Sequence, residues 1–400
     1  MGRTLVPLTI YLDNNATTKI DPQVAELIRA LSLQGVANPA SQHGPGRQAL
    51  KLLEQAKTDL LSLTGASNTL MDTAQVIWTS GGTEANNLAL LGIATKQPGM
   101  LVVAASEHSS VLEAAKRAAA SLQQPCHILA VDDAGHCDLD QLEAILRQDA
   151  ANIALVSVML GNNETGVIQD LETICKLCNR YQVKTHSDVV QAIGKLPFNM
   201  LELGLSAITL TAHKIHGPVG IGALILAPNL QLEPMLVGGG QQLAIRPGTE
   251  PVIPAVALAA ALQHTCQARL DGTYQRIASL RDEFESKVLT LGDTYVVGQA
   301  PPRLPHTSNI AFWGLDRQAL QMALDLRGLA CSTGSACSSG SSRPSAVLTA
   351  MKLPDRTISS SLRFSFSKYS TLAEAHQAAE IVCSVVERLR SNRSNFKVRS

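Results

Sequence analysis

Short apolar, β-branched runs recur along the first part of the chain, each followed by a polar or glycine-rich turn and then by apolar residues at helical spacing. The runs predict strands at Val76–Thr79, Leu101–Ala104, His127–Val131, Ile153–Leu160, Val183–His186, Ala207–Thr211 and Gly222–Leu226. Asp21-Pro22 opens a helix through about Ser32, and helical spacing runs from Arg47 to Leu63. Asp140 and Glu143 resemble a capping box for another helix, with aspartate in the cap role. Strands alternating with helices predict α/β architecture, a mostly parallel sheet with helices on both faces. After the loop from Gly238 to Thr249 the pattern changes. Pro251 to Leu291 reads as largely helical. Strands near Val296, Ile310 and Leu362–Ser365 then mix with helices at Arg317–Leu326, near Pro344–Met351 and at Leu372–Leu389, a smaller α+β unit. The polar, basic stretch Ser391–Ser400 predicts a mobile tail.

Length and charge narrow the classes. A chain of 400 residues exceeds one ordinary core and predicts two domains. Lys plus Arg equals Asp plus Glu, 33 against 33, so no broad basic field favours nucleic acid or a membrane surface. No apolar run is long enough to span a bilayer, and the first residues lack the apolar core of a signal peptide. Eight scattered cysteines suit a reducing cytoplasm. Cys175 and Cys178 form a CxxC pair inside a helical pattern, without a second pair at metal-site spacing. They read as thiols on one helix face, and no metal site is expected.

In open α/β sheets, ligands bind beyond the carboxyl ends of the strands. Gly81-Gly82-Thr83, His108, Asn163, Asp188 and Thr211-Ala212-His213-Lys214 follow five different strands, so they converge on one edge. Lysine is rarely buried without a partner. A desolvated Lys214 amine suits a Schiff base with an aldehyde, although taken alone it reads rather as a lysine whose head reaches solvent. Gly82 and Thr83 stand where a helix N-terminus can take a phosphate, or where a plain tight turn sits. Asp188 suits a protonated ring nitrogen, or a helix cap. One cofactor, pyridoxal phosphate, needs all three. A second focus is the small-residue run Ala330–Ser345, which predicts a mobile loop. Cys337 near its middle reads as a nucleophile, and Cys331 as packing.

Thr211-Ala212-His213-Lys214, Ser80-Gly81-Gly82-Thr83-Glu84, Gly161-Asn162-Asn163-Glu164, Asp188 with Gln191, Arg246-Pro247-Gly248-Thr249 and Gly334-Ser335-Ala336-Cys337 occur in that order. Together they resemble the group I cysteine desulfurases, the NifS/IscS-like class of the class V aminotransferase family, from about Tyr11 to about Ser367. The resemblance implies pyridoxal-phosphate fold type I, with a large domain over residues 15–262. A small domain, residues 1–14 and 263–400, would carry the cysteine loop at about 330–345. It implies that Lys214 is the Schiff-base lysine and acid–base group, flanked by Thr211 and His213. Gly82, Thr83 and Thr211 would hold the phosphate, and Asp188 the ring nitrogen. Gln191 and Asn163 would lie near the ring hydroxyl, with Asn163 also near the substrate carboxylate. His108 would stack on the ring, and Arg363 would clamp the substrate carboxylate. Thr249 would reach the phosphate of a partner subunit, making a homodimer.

The implied reaction converts L-cysteine to L-alanine with a persulfide on Cys337. The sulfur would pass to an acceptor, such as an iron–sulfur scaffold or sulfur carrier, for cluster, thio-cofactor or tRNA biosynthesis. Cystine or selenocysteine lyases of the same family, and a silent dimeric binding protein, are the alternatives. Gly82 stands where the family often has alanine, and Gln241–Ile245 lacks the family's usual charges. The short basic C-terminus does not resemble the scaffold-docking tail of the housekeeping members.

Overall fold

The computed structural model describes residues 9–66, 74–228, 230–299, 302–334 and 344–397. Its strands are β1 Ile10–Tyr11, β2 Gln75–Thr79, β3 Met100–Ala104, β4 Cys126–Leu129, β5 Ile153–Ser157 and β6 Thr185–Asp188. They continue with β7 Ala207–Thr211, β8 Gly222–Leu226, β9 Thr294–Val296, β10 Thr307–Phe312, β11 Leu329–Ala330 and β12 Ser361–Ser365. The helices are α1 Pro22–Gln34, α2 Gly44–Leu63, α3 Gly82–Lys96, α4 Ser109–Leu122, α5 Leu139–Asp149, α6 Leu171–Arg180 and α7 Met200–Leu203. They continue with α8 Val252–Leu270, α9 Thr273–Leu289, α10 Arg317–Asp325, α11 Ala346–Ala350, α12 Asp355–Ile358 and α13 Leu372–Lys397.

Seven strands form one sheet in the order β2-β8-β7-β6-β5-β3-β4. Strands β7, β6, β5, β3 and β4 run parallel, and β8 is antiparallel to both β2 and β7. That reversal brings Thr79 and Thr211 opposite the same residue, Gly222, so β2 ends on the edge where β7 ends. Strands β5, β7 and β8 are buried at every position, which is why they read as continuous apolar runs. Alternate residues feed two cores. Trp78, Val156 and Leu210 pack on one face, and Ile77, Leu155 and Leu224 on the other.

A third core forms where β12, β10 and β9 make an antiparallel sheet beside the parallel β1–β11 pair. Phe284 lies 5.0 Å from Phe364 and 5.7 Å from Phe366, centroid to centroid. The chain changes cores between α8, whose Leu258 packs in the first, and α9, whose Phe284 packs in the third. Gly272, at φ 77°, makes the corner. Leu348 and Met351 lean back onto the first core.

Several local expectations shift. The cap of α5 is Asp138, whose Oδ1 accepts from the Gln141 N–H at 2.9 Å, and Asp140 lies inside the first turn. Asp138 has the extended backbone that lets a cap side chain fold back, which a residue already in the helix lacks. Asp188 is the last residue of β6 rather than part of a turn after it. The expected tail is helical through Lys397, because Arg390 reaches the carbonyls of Leu291, Gly292 and Asp293 at 2.9–3.0 Å and ties α13 down. Cys175 and Cys178 are both buried in α6, and burial pushes their thiols up to about 11 and about 12. No helix among the described residues is long and apolar enough to cross a membrane.

Candidate active site

Strand β7 ends at Thr211, and a single 3-10 turn, Ala212–Lys214, lifts the lysine to the sheet edge. Lys214 Nζ donates to the carbonyls of Asn15 and Ala16, the latter at 2.7 Å. The carbonyl of His213 accepts from the backbone N–H and hydroxyl of Thr18, each at 2.9 Å. The segment after β1 therefore folds back over the lysine turn. Burial and the Lys214 charge push the His213 imidazole down to about 4, so it is neutral.

Asp188 ends β6, which lies between β7 and β5 in the sheet, and is 5% exposed. Its Oδ1 accepts from the Val190 N–H at 3.0 Å and its Oδ2 from Asn86 Nδ2 at 2.8 Å. Asn86 Nδ2 also reaches Ser110 Oγ at 2.9 Å, and that hydroxyl sits 2.7 Å from His108 Nδ1. His108 caps α4, and burial lowers its proton affinity while Asp188 opposes the change. Behind it lies Glu107, 2% exposed. Burial, and then the Asp188 charge, hold its acid well above the usual range.

Strand β2 runs through Gly81 into α3, which starts with no side-chain cap. The N–H groups of its first turn face the same edge as Lys214. Gly222 makes this turn possible. A Cβ there would fall 2.7 Å from the Gly81 carbonyl carbon and 2.8 Å from the Leu210 carbonyl oxygen. Burial alone would raise the Glu84 acid. Hydrogen bonds from Arg246 Nε at 2.9 Å and the Ser80 N–H at 2.6 Å outweigh it and leave it below its ordinary value. Arg246 thereby ties the 238–249 loop to α3. Gln242 ties it again, pairing its amide with Trp78 N–H at 2.6 Å and Trp78 C=O at 3.1 Å along the free edge of β2.

The enclosed space has a volume of about 290 Å³. Of the residues expected from the sequence, Gly82, Thr83, His108, Asn163, Asp188, Gln191, Thr211, His213 and Lys214 line it. The Thr211 hydroxyl donates to the Ile221 carbonyl at 3.0 Å. Arg363 is 2% exposed and stands one residue removed. Its Nη1 donates to the Asn163 and Gly334 carbonyls at 3.0 and 3.1 Å, and its Nη2 to Asp13 Oδ1 at 2.7 Å. Thr249 is exposed and does not line the cavity. Cys337 and the rest of 335–343 lie outside the described residues. The sequence reading missed Asn15, Asn86, Ser110 and Met159, which also line the space. Asn15 was the findable one, since it stands in a polar cluster directly after a strand.

Residues 10–377 match the profile of Aminotransferase class-V. The chain belongs to the class-V aminotransferase family. This is a family of pyridoxal-phosphate enzymes. Among its relatives is the cysteine desulfurase of Trichormus azollae, 38% identical over 385 residues, with 96% of this chain and 94% of the relative covered. The X-ray structure of a NifS-like protein from Rickettsia africae ESF-5 superposes with a TM-score of 0.85 at 33% identity, covering 95% of this class-V chain and 99% of that one. A structure of SspA in complex with cysteine superposes with a TM-score of 0.77 at 28% identity, covering 90% and 99%.

Proposed function

We propose that this chain is a cysteine desulfurase that holds pyridoxal phosphate beside Lys214 and moves the sulfur of L-cysteine onto Cys337, releasing L-alanine. The observation that carries the reading is the meeting of Lys214, Asp188, His108 and the uncapped start of α3 around one cavity. The names of the relatives supply the substrate.

The lining fits the cofactor. Asp188, already held by Asn86 and the Val190 N–H, offers a fixed negative charge to a protonated ring nitrogen. The first turn of α3 offers N–H groups beside two glycines to a phosphate. The side-chain oxygens of Asn163 and Gln191 are buried without a partner, and a buried acceptor calls for a donor such as a ring hydroxyl. Bound there, pyridoxal phosphate would supply an aldehyde for amines and an electron-accepting ring.

The chain's own residues do the rest. Lys214 would hold the aldehyde through its amine and, as the nearest base, would take the proton from the substrate α-carbon. His108, whose burial disfavours the imidazolium, would lie over the ring. Arg363, whose buried Nε has no partner, keeps a donor for the substrate carboxylate. Thr83, Gly82 and Thr211 would hold the phosphate. Thr249 serves the partner subunit of a homodimer. Cys337 attacks the substrate sulfur as thiolate. The new S–S bond forms as Cβ–S breaks, the bonding pair stays on carbon and is protonated, and alanine leaves. The persulfide then passes to an acceptor thiol on a sulfur-carrier or scaffold protein in the cytoplasm. Residues 15–262 form the large domain of this reading, and 1–14 with 263–400 the small one.

The test is incubation of purified protein with L-cysteine, in wild type and Cys337→Ala. Equimolar alanine and a persulfide that both require Cys337 are expected. Undiminished alanine and sulfide from Cys337→Ala would point instead to a lyase. A wild type without cofactor absorbance or turnover would leave only a binding protein.

A further inference from the structure

The chain leaves the described structure after Gly334, before Cys337, and returns at Pro344, with Ser345 capping α11. Both points meet one side chain. Glu164 is 6% exposed, and its Oε2 accepts from the Ser345 hydroxyl at 2.6 Å. A Cβ on Gly334 would fall 2.6 Å from that same oxygen, and Gly334 holds φ +96°, so only glycine passes this close. Ser345 Oγ also caps α11, accepting from the Leu348 N–H at 3.1 Å.

Glu164 is itself held rigidly. Its N–H donates to Asn162 Oδ1 at 2.9 Å, and its carbonyl accepts from Asn309 Nδ2 at 3.2 Å. Its neighbour Asn163 shares Arg363 Nη1 with Gly334. Burial raises the Glu164 acid, while the Ser345 hydroxyl and the Arg363 charge oppose the rise. The proposed chemistry gives Glu164 no step. Such a carboxyl, buried between two stretches of chain and bonded to one of them, is a strut.

We infer that Glu164 is a positioning residue that anchors both ends of the cysteine segment to the loop carrying Asn163, so that sulfur transfer to Cys337 depends on it and proton removal at the substrate α-carbon does not. The inference rests on the desulfurase reading. It assigns Gly334 and Ser345 as the two seats of the strut, and it makes Arg363 the link between the substrate-carboxylate site and the near seat.

The experiment uses holoenzyme with two readouts. The first is solvent-deuterium exchange at the α-carbon of L-alanine, followed by NMR, which needs no Cys337. The second is single-turnover persulfide formation from L-cysteine, read by mass spectrometry. Glu164→Ala should slow the second by about tenfold or more, the loss of one buried hydrogen bond to a carboxyl. It should leave the first, and the cofactor absorbance, within about twofold. Ser345→Ala should show a milder version of the same split. Glu164→Gln, which keeps an acceptor oxygen, should recover most of the rate. Equal loss of both readouts, or loss of neither, overturns the inference. A wild type that exchanges alanine yet forms no persulfide sinks the desulfurase reading first, and the inference with it.

Discussion

Lys195 lies in the turn after Asp188, is 5% exposed, and places its Nζ 3.1 Å from His306 Nε2. The charged groups that act on this pair, Lys214, Arg281 and Arg363, are all cationic. Burial, and then Lys214, push the Lys195 amine down to about 7 from an ordinary value of 10.5. In the unfolded chain the amine keeps its proton through this range, and in the folded chain it releases it. Stability therefore rises with pH from about 7 towards the ordinary lysine range. A full proton difference changes the unfolding free energy by about 1.4 kcal/mol per pH unit, and partial titration trims this to roughly 1.2 kcal/mol between about pH 7.5 and 8.5. Lys195→Met removes the slope. It also leaves His306 Nε2 without its partner, a pH-independent loss of about 1–3 kcal/mol. Urea unfolding of wild type and variant, reduced and at several pH values above 7, separates the two effects. The wild type should gain roughly 1 kcal/mol on the variant over that interval. Curves that run parallel would refute the assignment of a proton-poor buried amine. The buried thiols, whose raised proton affinity opposes this slope as pH approaches 9, are common to both proteins and cancel in the difference.

Three further perturbations follow from the turn into α3. Gly222→Ala drives a Cβ into the backbone of Gly81 and Leu210, and should lower stability by about 2 kcal/mol or more. Gly82→Ala is tight only against the Val190 side chain, at 3.3 Å, with Thr209 and Thr211 at 3.8 Å, and should stay within about 1 kcal/mol. Equal shifts in thermal midpoint would contradict this ranking. Arg246→Ala removes a pair whose side chains are about a quarter exposed, so stability should change by less than about 1 kcal/mol. The 238–249 loop then keeps the Gln242 hydrogen bonds and the packing of Ile245 but loses its tie to α3, and pyridoxal phosphate should bind several-fold more weakly in a fluorescence titration. Unchanged affinity would separate that loop from the cofactor site.

Much of this site is legible in the sequence because of how a parallel sheet works. Most strands announce themselves as apolar runs, and a residue at or just beyond each strand's end must reach the same edge as the others. Gly82, His108, Asn163, Asp188 and Lys214 could all be placed by that rule before any contact was known. Their neighbours could not. Asn86 holds Asp188 from 102 positions away, and Asp13 pairs with Arg363 across 350. Nothing local in either residue records its partner.

What the sequence determined by itself was the period of each segment, the order of strands and helices along the chain, and the residues that end each strand. Those depend on side chains within a few positions of one another. Only the tertiary structure decided the strand order across the sheet, and with it the partners. The reversal at β8 put the ends of β2 and β7 on one edge, with Thr79 and Thr211 flanking Gly222, and the return of the first residues put the Asn15 carbonyl on Lys214. It also put Glu164 between Gly334 and Ser345. These contacts follow from which apolar faces bury together, and burial acts without regard to distance along the chain.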